Sequence, residues 1–222
     1  MDFTKLVSLI DSKKIYLSRA DKLGDKFEGS FSKLNVKKRP IIYGDNTLLI
    51  KNLESIHKNL PRWVYLNCWN ISNGESAAMW KLYSRYGYGI AIQSTIGRLK
   101  KCFDNAEQIL TISKVRYVSY KDFFIPEGNL LAPFFHKRRS YTHERELRVA
   151  HMLDFEKGGD VDLSLETPPG IFIPIDIELL IKRIYVAPET SNWVKELINS
   201  ILNKYNYKFK LKQSSLDDDP IY

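Results

Sequence analysis

The residues best suited to chemistry lie between His136 and His151, in the segment HKRRSYTHERELRVAH. Basic residues, histidines and the pair Glu144 and Glu146 stand there directly before an alternating apolar run. Two carboxylates at the entrance of a strand can stabilise a developing positive charge or exchange a proton with a substrate. His143, next to Glu144, is a third candidate for proton transfer. We therefore expect a site at the start of this strand.

The same residues also have a structural interpretation. Glu144 and Glu146 alternate on one face of a strand, where Arg145 and Arg148 can neutralise them as ion pairs across the sheet surface. The histidines of this segment lack the spacing of a HExxH or Cys/His centre, so no metal site is expected. The pattern is therefore compatible with a functional role and with a purely structural role for the two glutamates.

Two other groups of residues could contribute to binding. Asp25 and Glu28 lie in the glycine-bounded loop DKLGDKFEG, where they serve either as turn residues or as contacts to a substrate. Trp80 and Tyr83 lie one helical turn apart, which is typical of a buried apolar stripe. The functional interpretation of that stripe is a wall on which a base or a nicotinamide ring stacks.

Helical and extended patterns alternate irregularly along the 222 residues, which are 44% hydrophobic. The pattern predicts helices over 3–13, 46–60, 75–86 (closed by Gly87), 94–102, 130–140 and 191–203, strands over 15–18, 63–69, 89–93, 109–118, 147–153, 170–176, 181–187 and 207–212, and a connection around Pro40 and Gly44. Strands in this number and order indicate an α+β fold with a mixed or mostly antiparallel sheet. We expect one domain over 1–213 and an acidic C-terminal tail over 214–222.

The net charge of +8 and the pI of about 9.3 favour polyanionic partners such as nucleic acid, although scattered solvated lysines give the same balance. Stretches of roughly 20 apolar residues are absent from the sequence, and the N-terminus MDFTKLVSLIDSKK is interrupted by polar residues. These features predict a cytoplasmic protein without a membrane partner. Cys68 and Cys102 have no CxxC partner, which indicates reduced, buried thiols.

An ordered set of segments, YLSRADKLGDKFEGS, ESAAMWKLYSRYGYGIAI, KRRSYTHERELRVA and IYVAP, resembles the bacterial family known as domain of unknown function 2971. The resemblance spans the chain from Phe3 to about Pro188. The family's motif positions fall on Asp25, Phe27 and Glu28, on Met79, Trp80 and Tyr83, and on Lys137, Glu144, Glu146 and Arg148. Family members commonly have a short strand ahead of the first helix, whereas this sequence starts with the helix.

Members of that family look similar to proteins of bacterial immunity and abortive infection, and the order of motifs is similar to that of ADP-ribosyltransferase-like toxins. Those enzymes have an Arg or His on an early strand, a Ser/Thr motif on a following strand and Glu-x-Glu at the entry to a later one. Arg19, the dipeptide Ser94-Thr95 and the pair Glu144 and Glu146 follow that order, with QST in place of Ser-Thr-Ser. The resemblance implies a phage-defence enzyme that uses NAD and modifies a nucleic acid or another macromolecular acceptor.

The resemblance also implies roles for the candidate residues. Glu146 would stabilise positive charge on the ribose and bind a ribose hydroxyl, and Glu144 would orient the acceptor or act as a base, with His143 as a further catalytic candidate. Arg19, or the segment Lys137–Arg139, would pair with the diphosphate. The remaining expectations are cofactor binding by Trp80, Tyr83, Lys137 and Arg148, and substrate binding by Asp25 and Glu28.

Two other function classes fit the same residues. In a metal-dependent nuclease, carboxylates hold magnesium and a lysine stabilises the scissile phosphate, but the usual Glu-x-Lys ending is replaced here by Glu146 and Arg148. A non-catalytic sensor or partner-binding module of a phage-defence system explains the charge and the aromatic residues without any site. Ion-paired carboxylates on a solvated face would favour that module.

Overall fold

The computed structural model describes residues 1–44, 46–84, 88–154, 156–157, 160–161 and 166–221. The α-helices of this part are α1 (Phe3–Ser12), α2 (Lys33–Tyr43), α3 (Thr47–Asn59), α4 (Ala77–Tyr83), α5 (Ile96–Lys101), α6 (Ile177–Leu180) and α7 (Asn192–Lys204). Its strands are β1 (Lys14–Arg19), β2 (Val64–Asn70), β3 (Ile90–Gln93), β4 (Thr111–Lys114), β5 (Arg116–Val118), β6 (His136–Arg138), β7 (Glu146–Met152), β8 (Glu156–Lys157), β9 (Asp160–Val161), β10 (Gly170–Pro174), β11 (Arg183–Val186) and β12 (Leu211–Gln213).

The largest sheet has the strand order β10-β1-β2-β7-β4. Its pairs β1–β2, β2–β7 and β4–β7 are antiparallel, and helices accompany the sheet, so the predicted α+β class is confirmed. The long central pair joins the whole of β2 to the whole of β7, from Val64 opposite Met152 to Asn70 opposite Glu146. This pairing fixes the start of β7, where the sequence predicts the site.

Contacts within the chain divide it into two compact units. The central unit comprises Tyr16–Ile71 and Gln108–Ile171, and the terminal unit comprises Met1–Ile15, Ser72–Glu107 and Phe172–Tyr222. The division into one domain and a C-terminal tail stays a prediction. Within the terminal unit, the first residues of that tail are held in place, because Ser214 and Ser215 donate hydrogen bonds to Glu75 at 2.6–2.8 Å.

One cluster of the apolar core of the central unit lies on one face of β2 and β7. Leu66 and Ala150 are cross-strand neighbours on this face, and both are buried. The core residues around them are Ala20, Leu60, Trp63, Val64 and Phe134. Because side chains alternate between the two faces of a strand, Glu146 and Arg148 lie on the same face as Ala150. The charged residues at the start of β7 therefore continue directly from the apolar core.

The terminal unit contains a second, smaller sheet. Strand β11 pairs with β3 in antiparallel and with β12 in parallel orientation. Helix α7 follows β11 and buries Val194, Ile198 and Leu202 along one stripe, as its sequence period requires. None of the described helices has the length and the apolar composition that crossing a membrane requires.

The structure corrects two predicted elements. The predicted helix over 130–140 is wrong, because this stretch contains a 3-10 helix (Ala132–Phe135), strand β6 and the beginning of a second 3-10 helix (Arg139–Glu144). Strand β6 pairs with β5, and Lys137 forms ion pairs with Glu144 and Glu146. These contacts stabilise an extended conformation in a segment that has no apolar stripe of helical period. The predicted connection is confirmed at Gly44, which closes α2 with φ 64°, but not at Pro40, because α2 continues through Pro40 to Tyr43.

Other boundaries move by a few residues. The helix predicted over 75–86 is α4, which Ser76 caps by accepting a hydrogen bond from the backbone of Met79 at 3.4 Å. The predicted closure of this helix at Gly87 lies outside the described residues. The strand predicted over 109–118 is divided into β4 and β5, and the one predicted over 207–212 is reduced to β12.

Candidate functional site

Arg148 is the centre of a buried group of charges in the central unit. Its guanidinium group donates two hydrogen bonds to the carboxylate of Glu28, one of them at 2.9 Å, and its Nε donates to Glu146 at 2.7 Å. The carbonyl oxygen of Phe134 accepts a further bond from the guanidinium group at 2.6 Å. Arg148 is fully buried, with 0% of its surface exposed. Its charge is therefore balanced by the carboxylates of Glu28, from a distant segment, and Glu146, from the same strand.

Lys137 joins the two glutamates of the Glu-x-Glu motif. Its Nζ donates to Glu146 at 2.6 Å and also to Glu144. All three residues are buried. We call Glu28, Lys137, Glu144, Glu146 and Arg148 the charge network. Its members come from the 21–29 loop, β6, the end of the 3-10 helix Arg139–Glu144 and β7, so the structure brings together residues that are up to 120 positions apart.

The backbone around Arg145 places the carboxylates of both glutamates next to Lys137. Arg145, between them, has a left-handed conformation (φ 42°, ψ 55°) that is unusual for a residue with a side chain. Its carbonyl oxygen accepts a hydrogen bond from Ile71, which follows β2. The hydroxyl of Tyr117 accepts a hydrogen bond from the backbone N–H of Glu146 at 2.8 Å. The turn at Arg145 therefore lets neighbouring acidic residues share one ammonium group.

The two glutamates have opposite proton affinities. Burial opposes ionisation of Glu146, but Arg148, together with hydrogen bonds from Glu144 and Lys137, lowers the pKa of Glu146 to about 2. For Glu144, burial and the hydrogen bond with Glu146 raise the pKa, and Lys137 only partly offsets them. Pairs of carboxyl groups whose pKa values are driven apart in this way divide acid–base and electrostatic roles between them.

The charges of the network explain this division. Glu28, Glu144 and Glu146 face the cations Lys137 and Arg148, so full ionisation would leave one excess negative charge in a buried site. Burial also raises the pKa of Glu28, despite its two bonds to Arg148. Although burial opposes the charged forms of Lys137 and Arg148, the glutamates raise the pKa of each cation. Both cations therefore stay charged, and Glu144 is the member of the Glu-x-Glu pair that holds a proton most readily.

Cys68 lies beside this network. It is the cross-strand neighbour of Arg148 and is exposed, so the prediction that it is buried is wrong, whereas Cys102 is buried as predicted. Although the thiol keeps a solvent-accessible edge, desolvation by the surrounding protein raises its pKa to about 12, and nearby carboxylates add to the effect. A thiol with this pKa stays protonated at neutral pH, so Cys68 is a weak nucleophile.

Asp25 and Phe27 lie next to the network and contact a different cation. The buried carboxylate of Asp25 accepts a hydrogen bond from Arg138 at 2.6 Å. The guanidinium carbon of Arg138 lies 4.3 Å from the ring centre of Phe27 and 5.4 Å from that of Tyr141. The Tyr141 ring is also 4.4 Å from Lys137. Tyr141 therefore contacts both the network and its neighbouring ion pair.

The structure does not bring Arg19 to this site. Arg19 is paired with Tyr65, which lies opposite His151, five residues or about 16 Å along β7 from Glu146. Strand alternation also places Arg19 on the sheet face opposite to Glu146. Its guanidinium group donates to Asp21 at 2.7 and 3.0 Å and to Thr167. Of the two predicted contacts to a diphosphate, only the segment Lys137–Arg139 lies beside the network.

The other predicted residues have varied positions. His143 is exposed in the 3-10 helix just before Glu144. Trp80 and Tyr83 belong to α4 of the terminal unit, where the indole N–H of Trp80 donates to Glu75 at 3.0 Å and Tyr83 is 55% exposed. None of the α4 residues is buried, so this stripe does not form the buried core that its spacing suggested. The stacking role of Trp80 and Tyr83 stays a prediction.

Sequence reasoning missed Tyr117, Tyr141 and Cys68 as neighbours of the glutamates. The alternation of β2 carries a signal for Cys68, since it places Cys68 and Leu66 on one face of that strand. Nothing comparable marks Tyr117 or Tyr141, because each reaches the network from a short element with no clear period. Within the described residues, no group of three or more His, Cys, Asp or Glu side chains is arranged to hold a metal ion.

Searches against protein-family models, curated proteins and solved structures found no match for this chain. The resemblance to the domain of unknown function 2971 therefore stays a prediction. The motif residues that carry it are nevertheless informative as a group, because five of them form the charge network. A buried network of this kind is a poor source of stability compared with apolar side chains. Ionisable groups with strongly shifted pKa values are instead typical of functional sites.

Proposed function

We propose that this protein is an ADP-ribosyltransferase-like enzyme that binds NAD, cleaves its nicotinamide–ribose bond and transfers ADP-ribose to an acceptor. The observation that supports the proposal is the pair Glu144 and Glu146, joined by Lys137 and separated in pKa, at the entrance of β7. Cleavage of this bond leaves positive charge on the ribose, which a fixed and ionised carboxylate stabilises. Glu146 has these properties.

Glu144 and Glu146 can have different roles in the reaction. The bond between the ribose carbon and the nicotinamide nitrogen breaks, its electrons stay on nitrogen, and neutral nicotinamide leaves. Glu146 stabilises the charge on the ribose while the acceptor approaches. Glu144, in its ionised form, takes the proton that the acceptor releases, because its raised pKa makes it the stronger base of the two.

The cations of the network have a positioning role in this proposal. Lys137 and Arg148 already bind the glutamates and Glu28, so we assign them to fixing the carboxylates rather than to the cofactor. Contact with the diphosphate then falls to the neighbouring Arg139, which is exposed. A planar guanidinium group suits this contact because it can bind two phosphate oxygens at once.

The alternatives receive less support. A magnesium-dependent nuclease would need carboxylates grouped around a metal ion, but no group of three or more His, Cys, Asp or Glu side chains in the described part of the chain is arranged to hold one. A non-catalytic module is favoured by ion pairs on a solvated face, whereas these pairs are buried. The phage-defence setting, the cytoplasmic location and a nucleic acid or other macromolecule as acceptor are further parts of the proposal that rest on the sequence.

The first test uses NAD labelled in its nicotinamide ring. The purified protein, with a chelator of divalent cations present, is expected to release free nicotinamide, either alone or after addition of cell extract as a source of acceptor. Release is measured by chromatography against a sample without protein. Absence of release under both conditions, or cleavage of nucleic acid that requires magnesium, would contradict the proposal.

A further inference from the structure

We propose that the central unit binds a single-stranded nucleic acid on a surface of alternating aromatic rings and cations. This surface, which we call the ring–cation surface, consists of Phe27, Arg116, Tyr120, Phe123, Arg138 and Tyr141. Its role in presenting the acceptor rests on the proposed transferase function. Binding of the nucleic acid strand does not depend on that function, so strand binding and NAD cleavage can be tested separately.

One half of the surface is built around Arg138. Its guanidinium carbon lies 4.3 Å from the ring centre of Phe27 and 5.4 Å from that of Tyr141, and the buried Asp25 binds the guanidinium group. Phe27 is 42% exposed, and its ring meets Tyr120 edge to face at 5.7 Å. A cation and an accessible ring are therefore held side by side before any ligand binds.

The other half is built around Phe123. The guanidinium carbon of Arg116 lies 4.7 Å from the Phe123 ring centre, and the Phe123 ring packs against that of His136 at 5.5 Å. The parallel pairing of β5 with β6 places Arg116 beside His136. Tyr120 joins the two halves, because its hydroxyl donates to the carbonyl oxygen of His136 at 3.1 Å. Contacts through Tyr120 and His136 therefore link the half around Arg138 to the half around Phe123.

The number of such contacts sets the central unit apart. The described residues include six cation–aromatic pairs, and all six lie in the central unit. Three of them join residues of the ring–cation surface, and a fourth joins Tyr141 to Lys137. This concentration fits the basic balance of the sequence, with its net charge of +8.

Rings and cations in alternation match a single strand of nucleic acid. Aromatic side chains stack on exposed bases with little regard to sequence, and arginines bind the phosphates between them. A duplex hides its base faces and would use the cations alone. An acidic peptide would leave the rings without partners. Because the rings already hold the arginines in place, less side-chain freedom is lost on binding.

Tyr141 connects this surface to the charge network. Its ring contacts Arg138 of the surface and Lys137 of the network, at 5.4 and 4.4 Å. Lys137 in turn binds Glu144 and Glu146. A strand that covers Tyr141 therefore passes next to the carboxylate pair, which is where the proposed transferase needs its acceptor.

The test is fluorescence anisotropy with a labelled 12-nucleotide oligothymidylate, compared with a duplex of the same length. Wild-type protein is expected to bind the single strand more tightly. Phe27→Ala should weaken binding by about 5- to 100-fold through lost stacking. Arg116→Gln should reduce the slope of log affinity against log salt by about 0.7 through loss of one phosphate contact.

Trp193→Ala is the matched control, since Trp193 is an exposed ring (58%) that packs against Tyr88 in the terminal unit and belongs to none of the cation–aromatic pairs of the described residues. Unchanged thermal unfolding shows that each variant is folded. Absence of binding at low salt, tighter binding of the duplex, or affinities unchanged in both Phe27→Ala and Arg116→Gln would overturn the surface. Strand binding without NAD cleavage would instead contradict the transferase and leave the surface intact.

Discussion

Arg148→Met is expected to lower the free energy of unfolding by about 3–5 kcal/mol at pH 8, because removing one partner leaves buried charges without compensation. Methionine can fill most of the space of the arginine stem, so the loss is electrostatic rather than a large cavity. In the variant, Glu28 loses its bidentate partner, and Glu146 keeps Lys137 but loses its arginine. Urea unfolding at several pH values measures the effect.

The pH dependence identifies the cause. In the wild type, the pKa of Glu146 is about 2, below its ordinary 4.5, so its stabilisation is present above pH 4.5 and is lost as the pH falls toward 2. Without Arg148, the pKa values of Glu28 and Glu146 should rise in the folded state. A carboxyl group whose pKa is raised in the folded state contributes stability below pH 4.5, and this contribution is lost as the pH rises through the raised pKa. The deficit of the variant should therefore be largest at pH 8 and shrink toward pH 4.

Arg139→Met is the control for this comparison, since Arg139 lies in the same segment of the chain but is exposed. Its effect on stability should stay within about 0.5 kcal/mol, as for most surface changes. If Arg148→Met cost no more than Arg139→Met, or cost the same at pH 4 and pH 8, the charge network would not have the energetic role assigned to it.

Glu146→Gln is expected to reduce release of nicotinamide from NAD by at least about 10²-fold, which is typical when one preorganised electrostatic group is removed. Glutamine keeps the size and polar character of the side chain but cannot offset positive charge on the ribose. Because Arg148 retains Glu28 and Lys137 retains Glu144, the variant keeps most of the network. The rate at saturating NAD is the quantity to compare.

Glu127→Gln provides a matched control for Glu146→Gln. Glu127 is a carboxylate of the central unit outside the charge network, with a side chain 3% exposed, and it accepts hydrogen bonds from Asn35, Arg39 and Tyr43 at 3.0–3.1 Å. Both changes remove one buried negative charge next to an arginine. Equal activity losses in the two variants would attribute the effect to stability and contradict a catalytic role for Glu146.

The sequence predicted the start of β7 to within one residue, whereas the functional role of its glutamates stays a prediction. The alternating run after Glu146 has the period of a strand, and the structure confirms β7 at Glu146–Met152. Asp25 and Glu28 are grouped with the motif residues Lys137, Glu144, Glu146 and Arg148 only through the family resemblance. The structure supplies the contacts, through Arg148 for Glu28 and Arg138 for Asp25.

Other features could not be predicted for physical reasons. Hydrophobic periodicity cannot show that Lys137 and Arg148 are buried, because their burial depends on ion pairs with partners distant in sequence. The segment over 130–144 contains short 3-10 turns and a three-residue strand, which have too few residues for a detectable period. The separation of Arg19 from Glu146 depends on strand register, which motif order does not contain.

The most direct test of the site is a titration of the glutamate carboxyl groups, followed by carbon-13 NMR in selectively labelled protein. Glu144→Gln and Glu146→Gln assign the two resonances. The structure predicts that Glu146 stays ionised until the pH approaches about 2, and that Glu144 takes up its proton above its ordinary pKa of 4.5. Two carboxyl groups that both titrate near 4.5, or a Glu144 that ionises before Glu146, would contradict the division of roles on which the proposed function depends.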